Sequence, residues 1–281
     1  MLIMTLLVRN EADILQANIE YHLNRGVDYI IATDNLSTDE SRDILEYYSK
    51  LKVLSLIIET SDTYDQHKWV TRMARIAADK LHASWIINND ADEFWWPNEG
   101  QTLDALLDAL PPHTHAVSAN RTNFVPLRQS IDTFFADALT IREVNSLNSI
   151  GKPLPPKVCH RAHGSVTVTQ GNHAVYVDGC LVDSPSAPIT IFHYPMRGYS
   201  QFERKIALGG AAYERNTQLD KNVGNTWRAL YREWQKGGLE SYYRAQEFDD
   251  ARITSGLNTG ELVKDERLMD FFKEIQFPYD R

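Results

Sequence analysis

Three carboxylates, Asp90, Asp92 and Glu93, stand within four positions at the end of the apolar run Trp85-Ile86-Ile87-Asn88, and Phe94-Trp95-Trp96 follow directly. Desolvating a charge costs several kcal/mol, so acids at the mouth of a buried strand need a partner. An Asp-x-Asp pair leaving a strand can turn both carboxylates toward one hard cation, Mg2+ or Mn2+, bridged to the phosphates of a nucleotide. The same pair also suits a capped turn in which Asp92 accepts backbone hydrogen bonds. Two more polar clusters precede it: Arg9-Asn10-Glu11 and Asp34-Asn35.

The elements that must position these groups alternate regularly. Residues 2–8 form an unbroken apolar run, the mark of a strand buried on both faces. A helix follows from Ala12 to Arg25, with Ile14, Leu15, Ile19 and Leu23 at helical spacing and Gly26 as its stop. Residues 29–33 read as a second strand, and Ser37 or Thr38 can cap the helix carrying Ile44, Leu45 and Tyr48. A third strand at 53–59, a helix from Gln66 to Leu81 and a fourth strand at 85–88 complete the pattern. Short alternating connections predict a parallel α/β sheet with helices on both faces. Ligands of such sheets bind outside the carboxyl ends of the strands, where all three polar clusters fall.

Composition narrows the function. The chain of 281 residues carries a net charge of −9 with no basic run, which argues against nucleic acid or an anionic membrane as the main partner. Cys159 and Cys180 stand alone without a CxxC motif, as in a reducing cytosol. No apolar stretch nears the ~20 residues of a membrane span, and Leu2 to Val8 lacks the basic flank of a signal peptide. No linker or repeat divides the chain, so it reads as one domain, with a nucleotide-binding half at 1–97 and an acceptor-side half at 98–281.

"LLVRNEADIL", "YIIATDNLSTDES" and "WIINNDADEF" together resemble the family-2-like glycosyltransferases of the GT-A fold, in the branch reading roughly KNE, DNxSxD and DxDEF. "IFHYPMRGYSQFERK", residues 191–205, resembles a late segment of that branch. The resemblance implies a Rossmann-like, mostly parallel sheet flanked by helices, with a mixed β and helical C-terminal elaboration. It implies transfer of a sugar from a UDP- or GDP-linked donor to a carbohydrate or glycoconjugate hydroxyl. The setting it implies is polysaccharide synthesis in the cytoplasm or at the membrane periphery. Asp34 would then hydrogen-bond the base or ribose, or alternatively cap the next helix. Asp90 and Asp92 would hold the diphosphate through Mn2+ or Mg2+, with Asp92 the direct ligand. Glu93 would orient a metal water or touch the sugar, or form a plain salt bridge.

Arg9 would reach a phosphate beside Asn10 and Glu11. Arg72 or Arg75 would approach the diphosphate, or both are solvated helix charges. His193 would be a further metal ligand, the alternative being a half-buried histidine donating to a carbonyl. His173 would line the acceptor side, with His160 and His163 at the surface. An inverting transfer needs a carboxylate base, for which Asp183 and Glu203 are candidates, each alternatively a surface acid. Trp227, Tyr231 and Trp234 recur at helical steps, as core or as a stacking face for an acceptor sugar. A sugar-1-phosphate nucleotidyltransferase would need a glycine-rich loop after the first strand, and "LVRNEAD" has no glycine. A phosphatase using Asp-x-Asp would place the pair after strand one. A non-catalytic relative that binds nucleotide sugar remains the other alternative.

Overall fold

A computed structural model describes residues 1–97, 100–128, 133–148, 151–220 and 223–277. β1 (Leu2–Val8), α1 (Ala12–Asn24), β2 (Tyr29–Asn35), α2 (Ser41–Lys50), β3 (Leu54–Glu59), α3 (Gln66–Leu81) and β4 (Trp85–Asp90) follow in strict alternation. β5 (Glu93–Pro97), α4 (Leu103–Asp108), β6 (Ala116–Asn123), α5 (Phe135–Ala138), β7 (Ile141–Glu143) and β8 (Lys157–Arg161) come next. The short strands β9 (Thr167–Val168), β10 (Val175–Val177) and β11 (Cys180–Leu181) lead to β12 (Ser186–His193). The chain ends in α6 (Tyr199–Arg215), α7 (Asn225–Gln235), α8 (Leu239–Gln246), α9 (Asp250–Thr259), β13 (Leu262–Lys264) and α10 (Arg267–Glu274).

The α/β class expected from the sequence is the one adopted. An eight-stranded sheet has the order β3-β2-β1-β4-β8-β6-β12-β5. Its first four strands are parallel, and β8 then runs antiparallel to both β4 and β6. β1 is apolar except at Thr5, whose hydroxyl donates to Asn88 Oδ1, as its central place requires: Ile3, Met4, Leu6 and Val8 are fully buried. Parallel register sets Val8 opposite Asp34, Leu7 opposite Asp90 and Asn35 opposite Glu59. The three polar clusters therefore share one edge of the sheet. β2 and β4 run two residues further than their apolar runs, so Asp34, Asn35 and Asp90 are strand residues rather than loop residues.

The chain divides into two compact units, which cut it differently from halves at 1–97 and 98–281. One unit holds residues 1–121 and 155–192, the other residues 122–154 and 193–281. In the second unit α6 packs on α7 through Gly209 and Gly210, where an added Cβ would lie 2.5 Å from Trp227 Cζ3 and 2.4 Å from Tyr231 Cβ. Trp227, Tyr231 and Trp234 pack there against Phe202, Ile206 and Leu230, so the aromatic stripe is core. Cys159 is buried and Cys180 exposed, and both are free thiols. Among the described residues no helix is long and apolar enough to cross a membrane.

Candidate functional site

Two of the sequence clusters lock into each other. Asn10 sits at φ 55°, a left-handed conformation that asparagine tolerates better than most residues. Its backbone N–H donates to Ser37 Oγ at 3.1 Å, while its Oδ1 accepts from the Thr38 N–H at 2.7 Å and the Asp39 N–H at 3.3 Å. Ser41 Oγ accepts from the Glu11 N–H at 2.9 Å, and Asp39 Oδ2 accepts from the Ala12 N–H at 3.2 Å. The hydroxyl and carboxylate groups after β2 thus satisfy donors that the start of α1 would otherwise leave open. This corrects the expectation that Ser37 or Thr38 caps α2: neither does, and α2 starts at Ser41, whose N–H donates to Asp39 Oδ1. Short polar side chains serve a spatial neighbour here rather than the next helix in sequence.

Asp34 is fully buried and does not cap α2. Its Oδ2 accepts from Arg42 Nε at 3.0 Å and Arg42 Nη2 at 2.6 Å, and its Oδ1 has no hydrogen-bond partner. The Arg42 side chain is 40% exposed, so from this position the guanidinium is the group presented to solvent. The carboxylate beside it raises the Arg42 pKa further through hydrogen bonding and charge.

The acidic turn is braced from behind by amides. Asn18 Nδ2 donates to the carbonyls of Ala91 at 3.0 Å and Glu93 at 2.8 Å. Asn89 Nδ2 donates to Asn18 Oδ1 and to the Glu93 carbonyl, and Asn89 Oδ1 accepts from Trp95 Nε1. His22 is buried beside them, its Nδ1–H donating to the Asn18 carbonyl and its Nε2 accepting from the Trp95 N–H. Burial lowers its pKa to about 4 despite that carbonyl, so the ring is neutral at pH 7.

From the front, Asp90 meets three donors. Gln66 Nε2 and Asn172 Nδ2 approach Oδ1 at 3.2 and 3.3 Å, and the Lys157 ammonium forms a short ion pair with Oδ2. Gly171 at φ 79° and Asn172 at φ 61° make the left-handed turn that delivers the Asn172 amide. Lys157 also lies 3.3 Å from Glu93 Oε1, and Arg121 Nη1 lies 3.1 Å from the same oxygen. Glu93 is fully buried and paired with two cations, as in the salt-bridge alternative, and its Oε2 has no hydrogen-bond partner. The Asp90 side chain keeps 30% of its surface exposed.

The donor set can be tested against the expected Mn2+ or Mg2+. Asp90 and Asp92 are hard oxygen donors, and hydrogen bonds to Oδ1 hold Asp90 in one orientation, as outer partners of ligating carboxylates do. Among the described residues no three His, Cys, Asp or Glu side chains are grouped to hold a metal ion. Such a cation commonly uses one or two carboxylates and completes its shell with substrate phosphates. The residues fit that mode.

The other expected residues have identifiable neighbours. Arg9 Nη1 pairs with Asp62 at 2.6 Å, which neutralises the charge expected to meet a phosphate. Glu11 is buried at the start of α1, its carbonyl accepting from the Leu15 N–H. Arg72 pairs with Glu59 at 3.2 Å, and Arg75 Nε donates to the Val166 carbonyl at 2.8 Å. His193 lies in the second unit, with Nδ1 2.7 Å from Asn123 Oδ1, an amide oxygen in place of the backbone carbonyl of the alternative reading. Asp183 is exposed on the loop after β11, whereas half-buried Glu203 accepts from Trp234 Nε1 at 3.2 Å. His163 is exposed as expected, but His160 is buried in β8 and burial lowers its pKa to about 4, correcting its surface assignment. His173 donates from Nδ1 to the Pro156 carbonyl, and burial with the Lys157 charge lowers its pKa to about 4.

Lys157, Arg121, Gln66, Asn172, Asn18 and Arg42 escape the sequence reading. Only Lys157 leaves a trace there, as a lone cation heading the strand-like "KVCH".

The family model of glycosyltransferase family 92 matches residues 4–201. No curated protein matches the chain. Among solved structures, residues 1–349 of S. aureus TarS align at 11% identity over 83% of this chain and 72% of that one, with a TM-score of 0.38. The same TarS fragment in complex with UDP-GlcNAc aligns at 13% identity over the same shares, with a TM-score of 0.41. Glucosyl-3-phosphoglycerate synthase from Mycobacterium tuberculosis, in complex with Mn2+, UDP and phosphoglyceric acid, aligns at 15% identity over 43% of each chain, with a TM-score of 0.32.

Proposed function

The chain belongs to glycosyltransferase family 92, and from that membership we propose that it moves a sugar from a nucleotide-sugar donor to a hydroxyl of a carbohydrate or glycoconjugate. The observation that carries this reading is Asp90. It stands at the carboxyl end of β4, opposite Leu7 of β1, with its orientation fixed by Gln66, Asn172 and Lys157. Support also comes from the rigid backing of the turn, because Asn18 and Asn89 hold residues 91 and 93 before any ligand arrives.

In this reading the donor's diphosphate lies along the shared edge of β1, β2 and β4. Asp92 and Asp90 would hold Mn2+ or Mg2+, which when bound offsets the charge that develops on the departing diphosphate. Lys157 and Arg121 pair with Glu93, and Lys157 keeps the Asp90 carboxylate aimed. The Asp34–Arg42 pair faces the base or ribose. Asp183 and Glu203 are the proposed bases for the acceptor hydroxyl, and a base must come within hydrogen-bond reach of the proton it removes. The proposed setting is the cytoplasm or the periphery of a membrane.

Hydrolysis of a panel of nucleotide sugars with Mn2+ tests the reading. Turnover of one sugar nucleotide is expected, with none from a sugar phosphate plus a nucleoside triphosphate. Several kcal/mol of charge stabilisation correspond to ~100-fold or more in rate, so Asp92→Asn should lose at least that factor. A variant as active as the parent refutes the assignment of Asp92. Asp183→Asn and Glu203→Gln, assayed with acceptor present, identify the base.

A further inference from the structure

The turn from Asp90 to Glu93 carries three carboxylates, and the fold sets buried Lys157 and half-buried Arg121 against two of them. β8 runs antiparallel to β4 with Ile87 opposite Cys159, which brings Lys157 level with the last residues of β4. There its ammonium touches Asp90 Oδ2 and Glu93 Oε1, while Arg121 from β6 touches Glu93 Oε1. The Lys157 side chain is 2% exposed, so solvent does little to weaken these contacts. Resting on the glycosyltransferase reading, we propose that Lys157 makes divalent-cation binding at Asp90 conditional on a nucleoside diphosphate.

Two counts support this. A carboxylate offers about four acceptor positions. Gln66 and Asn172 occupy the two on Oδ1 of Asp90, and Lys157 occupies one on Oδ2. One position is left for a cation. The second count is of charge: Asp90 and Glu93 face Lys157 and Arg121, so these four groups together present no net charge to a cation. That is little inducement for a divalent cation to shed its water, above all for Mg2+, which dehydrates reluctantly. A nucleoside diphosphate supplies both what is missing, oxygen donors and negative charge. Cation and nucleotide therefore enter as a pair, and Lys157 is the positioning residue that enforces the pairing by holding the oxygen a cation would otherwise take.

The test reads Mn2+ binding on the full chain from the free-ion electron paramagnetic resonance signal, without nucleotide and with UDP or GDP. The parent protein should leave Mn2+ free until a nucleoside diphosphate is added. Lys157→Met removes a unit charge at contact distance and should bind Mn2+ without nucleotide at least ~10-fold more tightly than the parent. Lys157→Arg should keep the parent's dependence, since it keeps a cation on Asp90. Lys157→Met also strips a buried acid of its partner and lowers stability. Lys157→Met/Glu93→Gln, which frees Asp90 Oδ2 at unchanged net charge, is therefore measured beside it and should also bind Mn2+ alone. Tight Mn2+ binding by the nucleotide-free parent overturns the inference and leaves the glycosyltransferase reading standing. So does unaltered nucleotide dependence in both methionine variants. A parent protein that binds no nucleoside diphosphate with or without Mn2+ overturns that reading, and the inference with it.

Discussion

Replacing Asn18 with alanine should damage the acidic turn from behind without touching any carboxylate. Asn18 is fully buried and makes three hydrogen bonds, to the Ala91 and Glu93 carbonyls and from the Asn89 amide. Each such bond is worth ~1 kcal/mol net, and a buried acceptor left unpaired costs ~1–3 kcal/mol more. The Glu93 carbonyl and the Asn89 amide still have each other at 3.2 Å, so the Ala91 carbonyl bears the unpaired penalty. The sum is a loss of roughly 4–6 kcal/mol, or about 7–10 °C in Tm for a chain of this size. Urea unfolding followed by circular dichroism gives the stability, and calorimetric titration with UDP or GDP and Mn2+ gives the affinity. Both should fall, because the turn loses its backing. Asn18→Asp should be worse than alanine, since it aims a buried carboxylate at two carbonyl oxygens. A stability loss under ~1 kcal/mol refutes the bond count, and a destabilised variant with parental nucleotide affinity refutes the link between brace and site.

Gly210→Ala should cost ~1–3 kcal/mol, because its Cβ would lie 2.4 Å from Tyr231 Cβ and must push α6 and α7 apart; a parental urea midpoint would show that the helices yield freely. His22 and His160 have folded pKa values lowered to about 4, against ~6.5 in the unfolded chain. Between those values the unfolded state binds more protons, so stability falls as pH falls, by up to ~1.4 kcal/mol per pH unit for each histidine. Urea midpoints at pH 7, 6 and 5 should decline for the parent and less steeply for His160→Gln; parallel curves would place His160 outside this linkage.

What the sequence disclosed and what it hid divide by range of interaction. Three of the first four strands were legible because Leu2–Val8, the run at 29–33 and Trp85–Asn88 are mostly apolar and buried on both faces, a property of a parallel sheet. Their shared edge was legible too, since alternation leaves the chain few topologies. Lys157 was hidden because its importance comes from β8 running antiparallel beside β4, a pairing across about seventy residues that no local pattern encodes. The caps were misread for the same reason, since Ser37 and Ser41 serve α1. Burial of His160 was equally hidden, because its neighbours in sequence, Arg161 and His163, look like surface residues.

The reciprocal hydrogen bonding between residues 10–12 and residues 37–41 makes these segments one hereditary unit. A Ser37 change strands a donor on Asn10, and an Asn10 change strands donors on Thr38 and Asp39, so single substitutions should be non-additive in a double-mutant cycle. Loop grafting meets the same constraint. A β2–α2 loop transplanted from another protein brings side chains keyed to a different helix start, and works only if the two or three residues after β1 travel with it. Drift in this lineage would have to proceed by paired replacement at the two sites, with each first step penalised until its counterpart follows.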